Sequence, residues 1–449
     1  MHRIVYLIGS SLLYAAAYQA PSQLWWCAAI WPLILWLYVR TGTIRWYHGY
    51  LWAYVTLALQ LSGILYGIFY LMSGSTWTCM VFFTLVIAIM AIPGALLFAF
   101  AAYLDVYTTN NPIRPFWWLT LWLYLTWMEY ASLLFWNNYG CILLSPLIFL
   151  SIPYRYIWPI AYLGKPLFLA WWITACMVTA GMFVQRSFIK YFIIIMMIHG
   201  TLWYFAPLPS TPPSYLRHIG IIRSSFLLDE GNLSALHHCA RHIEHLCNQH
   251  HDIQVIILPE SSLYPPAIID NWNSLASHTW TSHVSKPVIF GGYTLCHDSY
   301  YNTAAFSYQA QILATFDKQH ATPFIERIPS WFQYPCIEKI FYKLYGSLLP
   351  GTQPRKVWQL LPSLYVVPYI CSELFFGTNP RDEYHRVPIL VLCNTKWAPT
   401  SAQELMLWGA RLRAIEWQRD ILFVAQHFSS WCSARGTIVP LISEKNTCS

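Results

Sequence analysis

Charge is what this chain has least of. Only 10% of its 449 residues are Asp, Glu, Lys or Arg, against about 25% in an ordinary globular domain. Acids are scarcest in the first half, where residues 1–206 contain Asp105 and Glu129 beside eight Lys and Arg; residues 207–449 hold eighteen basic and seventeen acidic residues. The net charge of +7 therefore sits in the apolar half and gives no reason to expect a nucleic-acid partner. There is no internal repeat, low-complexity tract or second linker, which argues against a solenoid or a string of domains. The twelve cysteines have no regular spacing, so no disulfide pairing can be derived from them. No acid stands at the zinc-protease spacing beside the histidines of 237–251. His238, His242 and His245 share one helical face near Cys239 and Cys247, a set that suits either zinc or an exposed surface. The expectation is no metal and no cofactor.

Long apolar runs, by contrast, are plentiful. Seven fall at about 4–20, 24–39, 49–72, 77–104, 116–136, 158–183 and 188–205, most near the roughly 20 residues that a bilayer-crossing helix needs. Arg3, Arg40, Arg45, Arg114 and Arg186 mark alternate connections, while Arg155 and Lys165 break the pattern. The positive-inside rule then puts the N-terminus in the cytoplasm and residue 206 outside, with Trp25, Trp26, Trp46, Trp52, Trp117 and Trp118 as interfacial anchors. The expected localisation is the inner membrane, multi-pass, with the second half on the extracytoplasmic side. Glu129, an acid within a run, is either functional or faces a wet cleft.

Four prolines within 207–213 end the helical pattern. This sets the expected organisation: a helical membrane domain over 1–206, a Pro-rich linker over 207–218 and a catalytic domain over 219–449. In the last, short β-branched and aromatic runs at 219–226, 253–258, 287–293, 302–308, 311–316, 363–370, 388–393 and 421–426 alternate with helical patterns at 233–249 and 401–418. That alternation predicts a layered α/β or α+β domain.

Three polar residues follow these runs in the order Glu260, Lys318, Cys371. Glu260 comes after Leu258-Pro259; it is a candidate general base or an exposed loop acid. Lys318 comes after a hairpin strand and could stabilise an oxyanion or simply be solvated. Cys371 precedes Ser372-Glu373, which reads as a helix start. A thiol there would have a lowered pKa, unless it is a buried inert cysteine.

Together the three resemble the Glu-Lys-Cys triad of the nitrilase (carbon–nitrogen hydrolase) superfamily. Phe290-Gly291-Gly292-Tyr293 with Tyr301-Asn302-Thr303-Ala304, Asn394-Thr395-Lys396-Trp397, and 410–416 resemble further elements of that family. Within it the chain is similar to the apolipoprotein N-acyltransferase branch. Pro323-Phe324-Ile325-Glu326 matches its Pro-Phe-Gly-Glu element, apart from Ile325, and Ser372 replaces its usual tyrosine. The branch's eighth membrane helix has no counterpart after the catalytic domain. A conjugal-transfer TraB-like branch of membrane-tethered nitrilase or amidase homologues is the alternative.

The resemblance implies an α-β-β-α sandwich behind seven membrane helices, with Glu260, Lys318 and Cys371 catalytic and Glu326, Glu373 and Ser372 supporting. It also implies a membrane acyltransferase that moves a phospholipid acyl chain, through a thioester on Cys371, to an amine such as a lipoprotein N-terminus. Trp331, Phe332 and Trp397 are the expected substrate-binding residues. The aromatic segment 328–349 reads as a lipid-facing arm or a buried part of the core.

Overall fold

In the computed structural model the described residues are 2–40, 44–73, 76–106, 121, 157–184, 188–223, 232–262, 268–269, 284–296, 299–309, 311–322, 326, 348–376, 384, 386–395 and 398–442. The chain divides into two compact units, one mainly from residues 1–208 with 398–412, the other mainly from 209–397 with 413–449.

The first unit is helical: α1 (His2–Gln19), α2 (Pro21–Arg40), α3 (Trp46–Ser73), α4 (Thr76–Met90), α5 (Ile92–Val106), α6 (Ile160–Val184) and α7 (Phe188–Phe205). Among the described residues no helix is long and apolar enough to cross a membrane, which overturns the expected seven-helix membrane domain. The reasons are local. The apolar run 77–104 breaks at Ala91 into two helices of 15 residues each, about 22 Å apiece against a hydrocarbon core of about 30 Å. Pro93 supplies the break, because it cannot donate into the preceding turn. Helix α2 is interrupted at Leu24 and contains Pro32. Trp52 is no interfacial anchor: it is buried, and its indole N–H donates to Ser10 Oγ at 3.3 Å. Trp31 stacks on Tyr14 at a centroid distance of 4.8 Å. The fifth expected run, with Glu129, lies outside the described residues apart from Leu121.

Among the described residues, the second unit holds two six-stranded sheets. The first contains β1 (Ile219–Ile221), β2 (Val255–Ile257), β3 (Ile268–Ile269), β4 (Val288–Cys296), β5 (Ser299–Tyr308) and β6 (Gln311–Asp317). The second contains β7 (Trp358–Leu361), β8 (Leu364–Ile370), β9 (Ile389–Cys393), β10 (Ile421–Ala425), β11 (Ser430–Cys432) and β12 (Ile438–Pro440). Strands β1, β2 and β4 are parallel, as are β8, β9 and β10, and each set continues into antiparallel partners. The parallel strands are buried on both faces and read as unbroken apolar runs, Val255–Ile257 and Ile421–Ala425 among them, as two-sided burial requires.

Helix α8 (Asn232–Gln249) covers the first sheet with Cys239, Ile243 and Leu246 against Ile256 and Val288. A single turn α9 (Glu373–Phe376) follows β8, and α10 (Thr400–Trp417) follows β9. The α/β sandwich of the expectation is therefore the fold of this unit. Strands β3, β7, β11 and β12, which sequence reading did not predict, are short elements of two to four residues, with β7 and β12 at the two edges of the second sheet.

Pro368 sits inside β8 without cost. Val367 N–H donates to Pro388 and Cys371 N–H to Leu392 on the β9 side, so the alternation of the strand points the proline nitrogen to the other side. There β7 pairs only as far as Val366.

Candidate active site

The candidate reactive residues follow the ends of strands. Glu260 follows β2, Lys318 follows β6, and Cys371 follows β8. All three are buried, at 4%, 2% and 6% exposure.

Glu260 is held from both sheets. Its Oε1 accepts from Asn302 Nδ2 at 2.6 Å, and its Oε2 accepts from the Asn394 backbone N–H at 2.8 Å. Gln426 Nε2 donates to its carbonyl at 3.1 Å. Gly291 lies against its backbone, and a Cβ there would stand 2.7 Å from Glu260 Cα and 3.0 Å from Ser261 N. Backbone cannot swing aside as a side-chain tip can. Gly291→Ala is therefore expected to cost about 1–3 kcal/mol and to lower turnover by about 10–100-fold through displacement of the carboxylate. Urea unfolding and steady-state rates check both.

Lys318 Nζ lies 2.8 Å from Glu326 Oε2, 2.9 Å from Glu326 Oε1 and 3.5 Å from Glu260 Oε1. Burial opposes its charge, but Glu326 and Glu260 outweigh burial and hold the ammonium well above its ordinary pKa. Burial likewise opposes the Glu326 carboxylate, yet Lys318 leaves it below its ordinary value. Asn302 bridges the two acids, donating to Glu326 Oε1 at 2.8 Å as well as to Glu260. Thr322 joins the cluster through its hydroxyl, which accepts from Lys318 Nζ at 3.3 Å and donates to Ser372 Oγ at 2.9 Å. The lysine backbone is fixed as well, with its N–H on Asn302 O and its carbonyl on Gly351 N–H, both at 2.8 Å.

Cys371 has φ 47°, a left-handed conformation that non-glycine residues adopt at a cost and that concentrates at functional sites. Its Sγ lies 3.5 Å from Cys393 Sγ, and either sulfur can carry the shared proton. The hydrogen bond with Cys393, then burial, then the Glu260 charge push the Cys371 thiol well above its ordinary pKa; Lys318 pulls only partly the other way. This corrects the expected lowered thiol pKa, since α9 is a single turn and burial beside Cys393 and Glu260 dominates. Cys393→Ala removes the largest of these causes. The pH midpoint of Cys371 alkylation by iodoacetamide is therefore expected to move down relative to the parent protein.

Glu373 is fully buried and gathers four donors. Its Oε1 accepts from Gln319 N–H (2.7 Å), His320 N–H (3.3 Å) and Arg355 Nη2 (2.8 Å), and its Oε2 from Ile370 N–H (2.8 Å). It thus joins the segment after Lys318 to the strand end before Cys371. Arg355 in turn stacks over Tyr369 at 3.9 Å. Arg413 Nε and Nη2 donate to Leu374 O and Phe375 O, holding the turn that follows Cys371. Ser372 Oγ donates to His320 O at 3.2 Å.

Glu260, Lys318, Glu326, Cys371, Ser372 and Glu373 thus lie in one connected set. Trp331, Phe332, Trp397 and nearly all of 328–349 lie outside the described residues. Sequence reading assigned no role to Asn302, Thr322 or Cys393. Asn302 stood within a noticed motif, opposite Tyr293 in the β4–β5 ladder; the other two carry no local signal.

No protein-family model and no curated relative matches the chain. It is similar to several solved structures. One is the glutamine-dependent NAD+ synthetase of Acinetobacter baumannii, at 19% identity and TM-score 0.37, covering 50% of this chain and 44% of that one. Another is a carbon–nitrogen hydrolase of Helicobacter pylori, at 11% and 0.35, covering 51% and 85%. A third is a Saccharomyces cerevisiae member of branch 10 of the nitrilase superfamily, at 15% and 0.32, covering 47% and 82%. The chain thus spans less than half the length of the synthetase. These likenesses do not single out the apolipoprotein N-acyltransferase or conjugal-transfer branches.

Proposed function

We propose that this site cleaves or exchanges a carbon–nitrogen bond by acyl transfer through Cys371. The observation that carries the reading is a buried ammonium, Lys318, fixed between Glu326 and Glu260 in the same site as the buried Cys371 thiol.

Glu260 accepts the thiol proton as Sγ attacks the acyl carbon. Lys318 offsets the charge that develops on the acyl oxygen. On collapse the carbon–nitrogen bond breaks, and the leaving amine takes the proton back from Glu260. A thioester then remains on Cys371. Water or a second amine gives its proton to Glu260 and attacks the thioester, and the departing sulfur recovers that proton. Glu326 keeps Lys318 charged throughout, and Asn302 keeps the two acids apart.

In its finer form the donor is a phospholipid ester, so the first collapse breaks a carbon–oxygen bond and the leaving alcohol takes the proton from Glu260; the acceptor is an amine such as a lipoprotein N-terminus, and the carbon–nitrogen bond forms in the second step. The support for a lipid-like donor is the apolar surface of the first unit, where Leu96, Tyr162, Tyr204 and Leu208 are exposed.

Intact-mass measurement separates these forms. The protein is incubated in turn with small primary amides and with phosphatidylethanolamine vesicles. An acyl adduct on Cys371, absent from Cys371→Ala, is the expected result. An adduct from amides alone rejects the lipid donor, and no adduct from either, with Cys371→Ala as active as the parent, rejects the whole reading.

A further inference from the structure

The second thiol in the site, Cys393, has no part in the acyl-transfer steps. It ends β9, and Cys371 follows β8. The ladder pairs Ile370 with Leu392, so Cys371 and Cys393 are the next positions along two adjacent parallel strands. Neighbouring strands run about 4.7–4.9 Å apart, inside the Cα separation of about 4.4–6.8 Å that a disulfide accepts. The two Sγ atoms are 3.5 Å apart. Closing that gap to disulfide length asks the two sulfurs to approach by about 1.5 Å. Cys393 has no exposure, so it meets other thiols only through Cys371.

We propose that Cys393 is a resolving thiol that captures the oxidised nucleophile as a reversible Cys371–Cys393 disulfide. The oxidant is a hydroperoxide, small enough to reach the sulfur where a substrate carbonyl would. Glu260 takes the Cys371 proton, and the sulfur attacks the peroxide oxygen. The O–O bond breaks, leaving a sulfenic acid on Cys371 and, with the proton from Glu260, one alcohol or water. Cys393 Sγ then attacks the Cys371 sulfur; the S–O bond breaks and a second water leaves with the Cys393 proton. Two thiols have lost two electrons to one peroxide. A dithiol reductant returns those electrons by exchange and restores both thiols. Without the resolving thiol, the sulfenic acid proceeds to the irreversible sulfinic and sulfonic acids.

The consequence is a nucleophile that oxidants switch off without destroying. The test treats the full-length protein with hydrogen peroxide, alkylates it, digests it and maps cysteines by mass. In the parent protein the Cys371 and Cys393 peptides should be joined, both thiols should be lost to alkylation, and dithiothreitol should return both. In Cys393→Ser the same dose should carry Cys371 to sulfinic or sulfonic acid that dithiothreitol does not reverse. If that variant fails to fold, the cross-link map of the parent decides by itself. Overoxidised Cys371 in the parent without the cross-link, a cross-link to a different cysteine, or two thiols that stay alkylatable would each overturn the proposal. The readout is mass and not turnover, so none of these outcomes bears on the acyl-transfer reading.

Discussion

Lys318→Met should unfold far more easily than the parent protein and lose nearly all turnover. The lysine is 2% exposed and lies within 3.5 Å of two carboxylates. Methionine keeps most of the volume but leaves Glu260 and Glu326 facing each other without a counter-charge. Removing one partner of a buried ion pair typically costs about 3–5 kcal/mol, mostly the penalty of the stranded charge. Turnover should fall by at least about 10²–10³-fold with the loss of the group that stabilises the developing oxyanion. Urea unfolding and rate measurements check the two halves separately. Lys318→Met with Glu326→Gln should regain part of the stability and none of the activity, because it removes one of the two stranded charges and restores no ammonium.

The same pair sets an acid limit. Glu326 holds its proton less tightly in the folded chain than at its ordinary value of 4.5. Between those two values the unfolded chain binds more protons, so stability from this group is complete above about 4.5 and falls as pH drops through the folded value. Lys318, shifted upward, has the opposite sign: its contribution is complete below its ordinary value and is lost only in strong alkali. Glu326→Gln should therefore flatten the acid side of the stability profile and leave neutral-to-alkaline behaviour nearly unchanged in slope.

The second large effect is expected at Glu373. Four donors converge on its carboxylate, and it is fully buried. Glu373→Ala strands three backbone N–H groups and the Arg355 guanidinium. Breaking such a buried charge interaction costs about 3–5 kcal/mol, and each orphaned N–H adds about 1–3 kcal/mol wherever water cannot reach it. Activity should fall as well, since this carboxylate fixes the distance between the lysine segment and the strand end that carries Cys371. Glu373→Gln keeps the shape but replaces one acceptor oxygen with a donor, so it should fall between the parent and the alanine variant. Thermal unfolding orders the three, and the Cys371 alkylation rate reports the geometry.

The strand pattern of the second unit was legible because its buried parallel strands consist almost entirely of β-branched and aliphatic residues. Pro259, just before Glu260, and the hairpin before Lys318 also marked where chain leaves sheet. Asn302, Thr322 and Cys393 were not legible as site residues: each matters through a partner on another strand or loop, and the sequence carries no record of cross-strand distance. The thiol pKa was misread because a helix start was weighed and a neighbouring sulfur 22 positions later was not. The first unit shows a different failure. Apolar composition alone does not reveal that Pro93 splits a run, or that Trp52 turns inward to Ser10.

One feature of Glu260 has a kinetic meaning. Its side chain is gripped by Asn302 from the first sheet and by Asn394 from the second, and its carbonyl by Gln426, just beyond β10. As the proposed general base, Glu260 would work as a latch across the two layers, set only when both are correctly seated. Slippage of one layer over the other is expected to release the carboxylate before the strand ladders are lost. Mild denaturant should then extinguish catalysis at concentrations where the circular dichroism of the sheets is still intact, so activity serves as an early gauge of how well the two layers are assembled.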